Sequence, residues 1–359
     1  MPQASSAFPK SGPRLESFIE GLPKVELHVH LEGTITPEQR LKFARRNGLP
    51  EESPVAGWEY DTTTTDPAAY LKKFLEALFD GLSVLITEQD FFDLTYEFLE
   101  KLHKENVIYV EISFDPQSHL PRGVPLGAVI NGIDSGRRKA MADFGVDSSL
   151  IMCINRERSS DEAFDLLQAA RPFRDRLAGI GLDCGEEGNP PIKFKDVYAI
   201  ARAEGYRLTA HCDHNQKNSA THIWQCIEIL QCERIDHGMN CLEDPRLVDT
   251  LGERDIVLTG CPTWRPIDAK PRRLDEIRRM YDANLKVTLN SDDPGLFTSG
   301  TIGGMLSPIA ATAQFNEADL VRLMKNAFEG SWASPEQKRN FVRRLDQYFS
   351  AWLQRDAPL

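Results

Sequence analysis

Short apolar runs recur along the chain, and longer stretches with helical spacing separate them. We count eight such runs, and their mostly apolar, β-branched composition is typical of parallel strands buried on both faces. The runs are Val25–His30, Val107–Phe114, Ser148–Ile154, Ala178–Asp183, Arg207–His211, Arg234–His237, Ile256–Cys261 and Lys286–Asn290.

The stretches between these runs place apolar residues three and four positions apart, which predicts amphipathic helices. The clearest are Asp90–Asn106, Thr221–Gln231 and Ala318–Phe328. Alternating strands and helices predict an α/β protein with a parallel sheet, and eight repeats predict closure into a (β/α)8 TIM barrel. The segment Thr34–Asn106 is too long for one helix, so we predict a helical insertion after the first strand that covers the C-terminal mouth.

The chain of 359 residues contains no internal linker rich in Pro, Gly and Ser, so we predict one barrel domain over residues 15–359. Residues 1–14 lack the apolar core of a signal peptide, and we interpret them as a disordered N-terminal lead. No window approaches the roughly 18 apolar residues that a transmembrane helix requires.

The net charge limits the classes of binding partner, and the cysteine content indicates the redox environment. With 42 Lys and Arg against 54 Asp and Glu, the net charge is −12, which disfavours nucleic acid or an anionic membrane as partner. A small-molecule substrate is the remaining expectation. The seven cysteines form no CxxC pair, so we expect no disulfide framework and a reduced, cytoplasmic setting. The sequence does not decide the oligomeric state.

Titratable residues cluster at the C-terminal ends of the predicted strands, which converge on one face of a barrel. His28 and His30 are two positions apart and therefore share one side of their strand. His211 ends the fifth strand and Asp292 follows the eighth. Three imidazoles and one carboxylate predict a site for one divalent metal, with Zn²⁺ favoured and Fe²⁺ or Mn²⁺ open.

A metal at this position lowers the pKa of bound water and makes a nucleophile available near neutral pH. His237, at the end of the sixth strand, is a candidate base because an unperturbed imidazole has a pKa of about 6.5. Asp293 could hydrogen-bond the attacking water or the substrate. The structural alternatives are a core histidine for His237 and a helix N-cap ahead of Pro294 for Asp293.

Several motifs at these positions resemble the adenosine/adenine deaminase family, the metal-dependent deaminases of the amidohydrolase superfamily. They are Pro23–Gly33 (PKVELHVHLEG), Ile235–Gly238 (IDHG) and Asn290–Pro294 (NSDDP). The adenine-type branch is the closer one, and the segments that resemble it are Glu111–Gln117, Arg122–Val124, Gly181–Asp183, Gly188–Pro191 and Lys193–Phe194. The resemblance extends from about Pro23 to the last helices.

This resemblance implies a metal-bearing barrel that removes an amino group from a purine carbon by hydrolysis. It implies a metal on His28, His30, His211 and Asp292, with His237 as the base and Asp293 assisting. Glu32 falls where the family contacts the far side of its ligand. Gly185 and Glu186 belong to the strand-four loop that contacts the base in adenine-type members.

The chain departs from the family after His211. Family members read His-Ala-Gly-Glu there, and the Glu protonates the ring nitrogen, whereas this chain reads His-Cys-Asp-His. His214 therefore holds the acid position, and Asp213 is its neighbour. A neutral imidazole is a poor acid, but it can donate through one nitrogen and accept through the other. In a second departure, Pro262–Pro266, Trp264 could stack on a planar ring or anchor the loop.

Three hypotheses follow for function. The chain could deaminate a purine-like aminoheterocycle that differs from adenine and adenosine, or it could act on those two with His214 or Asp213 as proton donor. A hydrolase of another heterocycle is a variant of the first hypothesis. The third is a catalytically silent protein that keeps its metal. Retention of His237 and Asp293 favours an enzyme, because a structural relic needs neither.

Overall fold

Eight parallel strands follow one another in a single sheet in the order β1 to β8. The computed structural model describes residues 8–51, 67–212, 219–264, 268 and 270–355. A parallel bridge between Val29 and Asp292 brings the segment after β8 against β1, so the sheet curls round almost to closure. The strands are β1 Lys24–His30, β2 Val107–Phe114, β3 Asp147–Asn155, β4 Leu177–Asp183, β5 Arg207–Cys212, β6 Arg234–His237, β7 Val257–Gly260 and β8 Lys286–Leu289.

The predicted TIM barrel is therefore confirmed, and each apolar run agrees with a strand to within one residue at either end. Every residue of β1 and of β2 is buried. One face of each strand points into the barrel and the other is covered by helices, which is why the runs are apolar on both faces rather than alternating.

Helices occupy the connections and both ends of the described chain. They are α1 Pro13–Gly21, α2 Pro37–Arg46, α3 Pro67–Gly81, α4 Glu88–Lys104, α5 Pro116–His119, α6 Leu126–Phe144, α7 Ser160–Ala170, α8 Lys195–Ala203, α9 Ser219–Gln225, α10 Pro245–Glu253, α11 Leu274–Asp282, α12 Ile302–Ala313, α13 Glu317–Gly330 and α14 Pro335–Gln354. Two of the three predicted helices correspond to α4 and α13. The third, Thr221–Gln231, begins as α9 and continues as a π-helical turn over Cys226–Leu230, which periodicity could not distinguish.

The predicted insertion between β1 and β2 contains α2, α3 and α4. Helix α4 begins with a reciprocal cap, in which the Thr87 hydroxyl accepts from Asp90 N–H and the Asp90 carboxylate accepts from Thr87 N–H. From α3, Phe74 stacks on Phe297 in the segment after β8, with ring centroids 5.4 Å apart. This contact agrees with an insertion that lies over the C-terminal end of the barrel.

Residues 8–14 depart from the predicted disordered lead. Phe8 is buried and packs edge-on against Trp264 at 5.1 Å between ring centroids. Ser11 N–H donates to Ser307 Oγ at 3.1 Å, and α1 already begins at Pro13. Burial of one aromatic ring fixes this segment, and a single Phe in a polar stretch has no periodicity to reveal it. Residues 1–7 lie outside the described residues.

Within the described ranges, no helix has the length and apolar character needed to cross a membrane.

Candidate active site and metal centre

Three imidazoles and one carboxylate meet at the C-terminal end of the barrel. The alternation of β1 sends His28 and His30 to the same side, where each Nε2 approaches His211 Nε2, at 3.1 and 3.0 Å respectively. Asp292 Oδ1 lies 3.4 Å from His28 Nε2 and 3.8 Å from His30 Nε2. The structure thus brings together all four residues that the sequence predicted as metal ligands.

His237 belongs to the same cluster. Its ring centroid lies 4.6 Å from that of His28 and 5.1 Å from that of His211. Both His237 and Asp292 have left-handed backbone conformations, with φ of 64° and 62°. Residues with a Cβ rarely adopt this region, and such strain persists where the surroundings force it, often at functional sites.

The Nδ1 atoms of two of these histidines face the carboxylate of Asp236. Thr259 Oγ1–H donates to Asp236 Oδ1 at 2.8 Å, which commits the only proton of that hydroxyl. Thr259 Oγ1 also lies 2.9 Å from His28 Nδ1, and because its own proton is committed, it must accept a hydrogen bond from His28 Nδ1–H. His28 therefore keeps its lone pair on Nε2. His211 Nδ1 lies 3.5 Å from Asp236 Oδ2, which favours the same tautomer.

His30 Nδ1 faces two other carboxylates, with Asp115 Oδ2 at 3.6 Å and Asp183 Oδ2 at 3.7 Å. Burial disfavours the charged imidazole, but the hydrogen bond to Asp115 and the charges of Asp293 and Asp183 outweigh it and raise the pKa of His30 well above its usual value. Carboxylates behind metal-binding histidines are a recurrent arrangement that orients the ring.

The donor set fits a divalent metal. With protons on Nδ1, the Nε2 atoms of His28 and His211 both carry lone pairs and lie 3.1 Å apart without a proton to share, a repulsive contact that a cation bound by both nitrogens would relieve. Nitrogen ligands with one carboxylate oxygen suit Zn²⁺ and, less selectively, Fe²⁺. A nitrogen of each of three histidines and an oxygen of Asp292 lie within 4.8 Å of one another; these histidines are His28, His211 and His237.

The two adjacent aspartates have opposite electrostatic environments. For Asp292, burial opposes ionisation, but the neighbouring imidazoles of His28, His237 and His30 outweigh it and lower its pKa. For Asp293, burial and the negative charge of Asp292 raise the pKa well above its usual value. Asp293 Oδ1 is buried and has no hydrogen-bond partner among the described residues. A Cβ on Gly33 would lie 1.9 Å from this oxygen, so only glycine lets Asp293 approach.

The predicted substrate-contacting residues are distributed around this cluster. Glu32 is buried, and its Oε1 accepts from Asp115 N–H and from His119 Nε2, both at 3.0 Å. Its Oε2 is buried without a hydrogen-bond partner in the described part of the chain. Glu186 is buried and pairs with Nδ1 of His222 on α9.

Two other predictions concern loops. A Cβ on Gly185 would approach Glu157 Oε1 to 2.9 Å, so the strand-four loop is tightly packed at this glycine. Trp264 is 2% exposed and packs on Phe8, which favours the loop-anchor alternative over ring stacking. Asp213 and His214 lie outside the described residues.

Sequence reasoning missed most of the residues that support the site. Asp115 and Asp183 stand at strand ends, which was the available signal, but nothing assigned them to His30. Thr259 lies inside β7 and His119 ends the short helix α5, so neither position indicates a role. His222, the partner of Glu186, lies in the predicted helix Thr221–Gln231, but helical spacing alone does not indicate a contact with Glu186.

Comparisons with known proteins agree with this geometry. The profile of the adenosine deaminase family matches residues 23–348. An uncharacterized deaminase of Schizosaccharomyces pombe is 43% identical over 339 residues, which cover 94% of this chain and 99% of that protein. An adenine deaminase of Trichlorobacter lovleyi is 39% identical over 337 residues, covering 91% and 93%.

Two solved structures have the same fold over nearly the whole chain. The crystal structure of an adenine deaminase from Arthrobacter aurescens has a TM-score of 0.82 and 32% identity, covering 92% of this chain and 100% of that one. An amidohydrolase from Burkholderia ambifaria with bound Zn also has a TM-score of 0.82, with 27% identity and coverage of 97% and 99%.

Proposed function

The chain belongs to the adenosine deaminase family, and from this premise we propose that it removes an amino group by hydrolysis from a purine-like aminoheterocycle. The observation that carries the proposal is the convergence of His28, His30, His211 and Asp292 on one point, with His237 beside them. The family's reaction needs both a metal site and a base, and this chain has candidates for both within one cluster.

One divalent metal per chain would be held by His28, His30, His211 and Asp292. We propose Zn²⁺, which suits the donor set and is the metal bound in the amidohydrolase neighbour, with Fe²⁺ as the alternative. When bound, such a metal supplies an activated water as nucleophile near neutral pH. The Nδ1 contacts of the histidines with Thr259, Asp236, Asp115 and Asp183 would hold the rings in place for this ion.

The remaining residues would handle protons and orient the substrate. An imidazole nitrogen of His237 would take the proton from the attacking water. Asp293, held close by Gly33, would hydrogen-bond the water or the leaving amino group through its open Oδ1. Glu32 Oε2 is a buried acceptor that needs a donor, and a ring N–H of the substrate would provide one.

The substrate class follows from what the chain keeps and what it changes. Relatives named adenine deaminase make adenine the first compound to test. His214 stands where the family has the Glu that protonates the ring nitrogen. We therefore propose as substrate a purine or related ring whose ring nitrogen does not receive its proton from a Glu, such as an N6-substituted purine or an oxopurine. The competing proposal is adenine itself, with His214 or Asp213 as a weaker donor.

Ammonia or amine release from a panel of aminopurines, N6-substituted purines, aminopyrimidines and triazines tests the function directly, with Zn²⁺ and with Fe²⁺. Strong turnover of one compound is the expected result, and His237→Asn abolishes it while metal remains bound. Silence across the panel from protein with stoichiometric metal would overturn the proposal and favour a binding protein.

Replacing His214 by Glu separates the two substrate proposals. If the chain is an adenine deaminase with a weakened acid, H214E raises kcat for adenine by about 100-fold or more, within the range expected for general acid catalysis. If His214 serves a different ring, H214E lowers turnover of that compound and leaves adenine poor.

A further inference from the structure

A fully buried arginine lies inside the barrel beneath the metal centre, and no step of the proposed reaction uses it. Arg234 opens β6, and its side chain is 1% exposed. Its Nη1 donates to Glu111 Oε2 at 2.5 Å, and its Nε lies 3.6 Å from Asp236 Oδ1. Its guanidinium carbon stands 4.2 Å above the ring centroid of Trp332.

These contacts hold the guanidinium between two carboxylates. Glu111 is itself fixed, because its Oε1 accepts from Trp332 N–H and from the Tyr109 hydroxyl. Burying a charge is costly unless it is paired, and one carboxylate already neutralises Arg234. The second, Asp236, is the group that orients two metal-binding histidines, so an ion pair serving stability alone would not need it.

We propose that Arg234 is a positioning residue for the metal centre, acting through Asp236 on His28 and His211. The inference rests on the proposed metal site but not on any particular substrate. Asp236 Oδ1 accepts from the Thr259 hydroxyl at 2.8 Å and lies 3.6 Å from Arg234 Nε, an ion-pair contact without a hydrogen bond, and Asp236 Oδ2 faces His211 Nδ1 at 3.5 Å. The positive charge of Arg234 holds the carboxylate in the orientation that serves both rings.

Loss of the guanidinium would leave Asp236 without its buried cation. The carboxylate would then turn, or draw water into the barrel, and both Nδ1 contacts would weaken. Substitutions of such supporting groups in other metalloenzymes typically weaken metal binding by about 10- to 100-fold. We expect Arg234→Met to fall near the lower end, about tenfold. Arg234→Lys keeps a charge without the planar fork and should lose less.

The test is a double-mutant cycle on Zn²⁺ affinity, measured by competition with a chromogenic chelator on metal-depleted folded protein. The variants are R234M, R234K, D236N and the two double mutants. If Arg234 acts through Asp236, R234M weakens Zn²⁺ binding in the wild-type background and adds little to D236N. Arg207→Met is the matched control, because Arg207 also opens a strand but is exposed and pairs with Glu233, and it should leave the affinity unchanged.

The thermal midpoint of the metal-free variants separates folding from positioning. If R234M does not fold, the cycle between R234K and D236N decides the same question. Unchanged Zn²⁺ affinity in folded R234M, or equal losses with and without Asp236, would overturn the inference, and where R234M does not fold the same two outcomes for R234K would do so. Because the readout is metal affinity, a chain that binds Zn²⁺ but turns over no compound of the panel would contradict the proposed function and leave this inference intact.

Discussion

The close approach of Gly33 to Asp293 allows one role in the site to be tested without touching a titratable residue. An alanine Cβ at position 33 would stand 1.9 Å from Asp293 Oδ1 and 2.6 Å from both Asp293 Cβ and Cγ. To regain ordinary contact at 3.4 Å, the carboxylate must retreat by about 1.5 Å. The backbone at residue 33 is held, since its carbonyl accepts from Gly295 N–H at 2.7 Å, so Asp293 is the part that must move.

The expected cost follows from this displacement. A misplacement of about 1 Å in a reacting group costs about 100-fold in rate, which corresponds to about 2.7 kcal/mol in the activation free energy. For Gly33→Ala we therefore expect kcat for the best panel substrate to fall by about 100-fold or more. Metal content should stay stoichiometric, because the three histidines proposed as ligands lie on β1 and β5 and are not displaced by this Cβ.

The assay is steady-state ammonia release combined with metal analysis and a thermal unfolding curve of the same preparation. Gly252→Ala in α10 is the matched control, because its added Cβ meets only Leu285 Cδ2 at an ordinary 3.7 Å. A Gly33→Ala protein with full metal and wild-type kcat would refute a catalytic role for Asp293. Loss of metal would instead show that the displacement is transmitted to Asp292.

Three further changes test other parts of the molecule. His237→Asn should reduce turnover by at least about 100-fold, because a proton acceptor is lost, while atomic absorption still finds one metal per chain. Removing the metal with a chelator should abolish turnover and lower the thermal midpoint, and Zn²⁺ should restore both; at 1,000 times its Kd a ligand adds about 4 kcal/mol of stability. Burial lowers the pKa of Lys24 to about 8 despite the nearby charges of Glu105 and Glu20. As the pH rises, the native state loses this proton before the unfolded chain does. The free energy of unfolding of the wild type, measured relative to Lys24→Met by chemical unfolding, should therefore increase between about pH 8 and about pH 10.4, by up to about 3 kcal/mol.

Each of these outcomes can fail in a distinct way. Metal loss in His237→Asn would make His237 a ligand rather than the base, as its place within the 4.8 Å cluster permits. Turnover that survives complete chelation would contradict a metal-dependent reaction. A stability difference between wild type and Lys24→Met that stays flat with pH would contradict the lowered pKa of Lys24, and Lys195→Met, which removes an exposed lysine, is the control.

The barrel and the meeting of the four proposed metal ligands could be predicted because topology leaves few alternatives. Parallel strands buried on both faces need apolar runs, and their C-terminal ends share one face, so His28, His30, His211 and Asp292 had to meet. The supporting residues could not be assigned in the same way. Thr259 is one of several threonines inside strands, and only the register of β7 against β6, which pairs Thr259 with Asp236, brings it beside that carboxylate.

Two further differences between the predicted and the observed structure lie outside the site. The segment of residues 8–14 is held by the contact of Phe8 with Trp264, which is remote in sequence, and no local sequence pattern predicts such a pair. The π-helical turn at Cys226–Leu230 inserts a wider turn into a segment whose apolar spacing is that of an ordinary helix. Periodicity alone therefore reveals neither the packing of Phe8 nor the π-helical turn.

The site divides into two halves that the chain builds differently, and this division governs how its function can diverge. The metal half rests on strand residues, where His28, His30 and His211 are fixed by the barrel and by carboxylates from neighbouring strands. We assign the proposed proton-donor half to Asp213 and His214, which follow β5 in the sequence and stand in place of the family's usual residues. Substitutions beyond the end of a barrel strand leave the packing of the strand itself untouched, so a change of substrate is expected at these positions while the proposed metal site is retained. Metal affinity therefore reports on the strand residues and the substrate profile on Asp213 and His214, and the two properties can change independently.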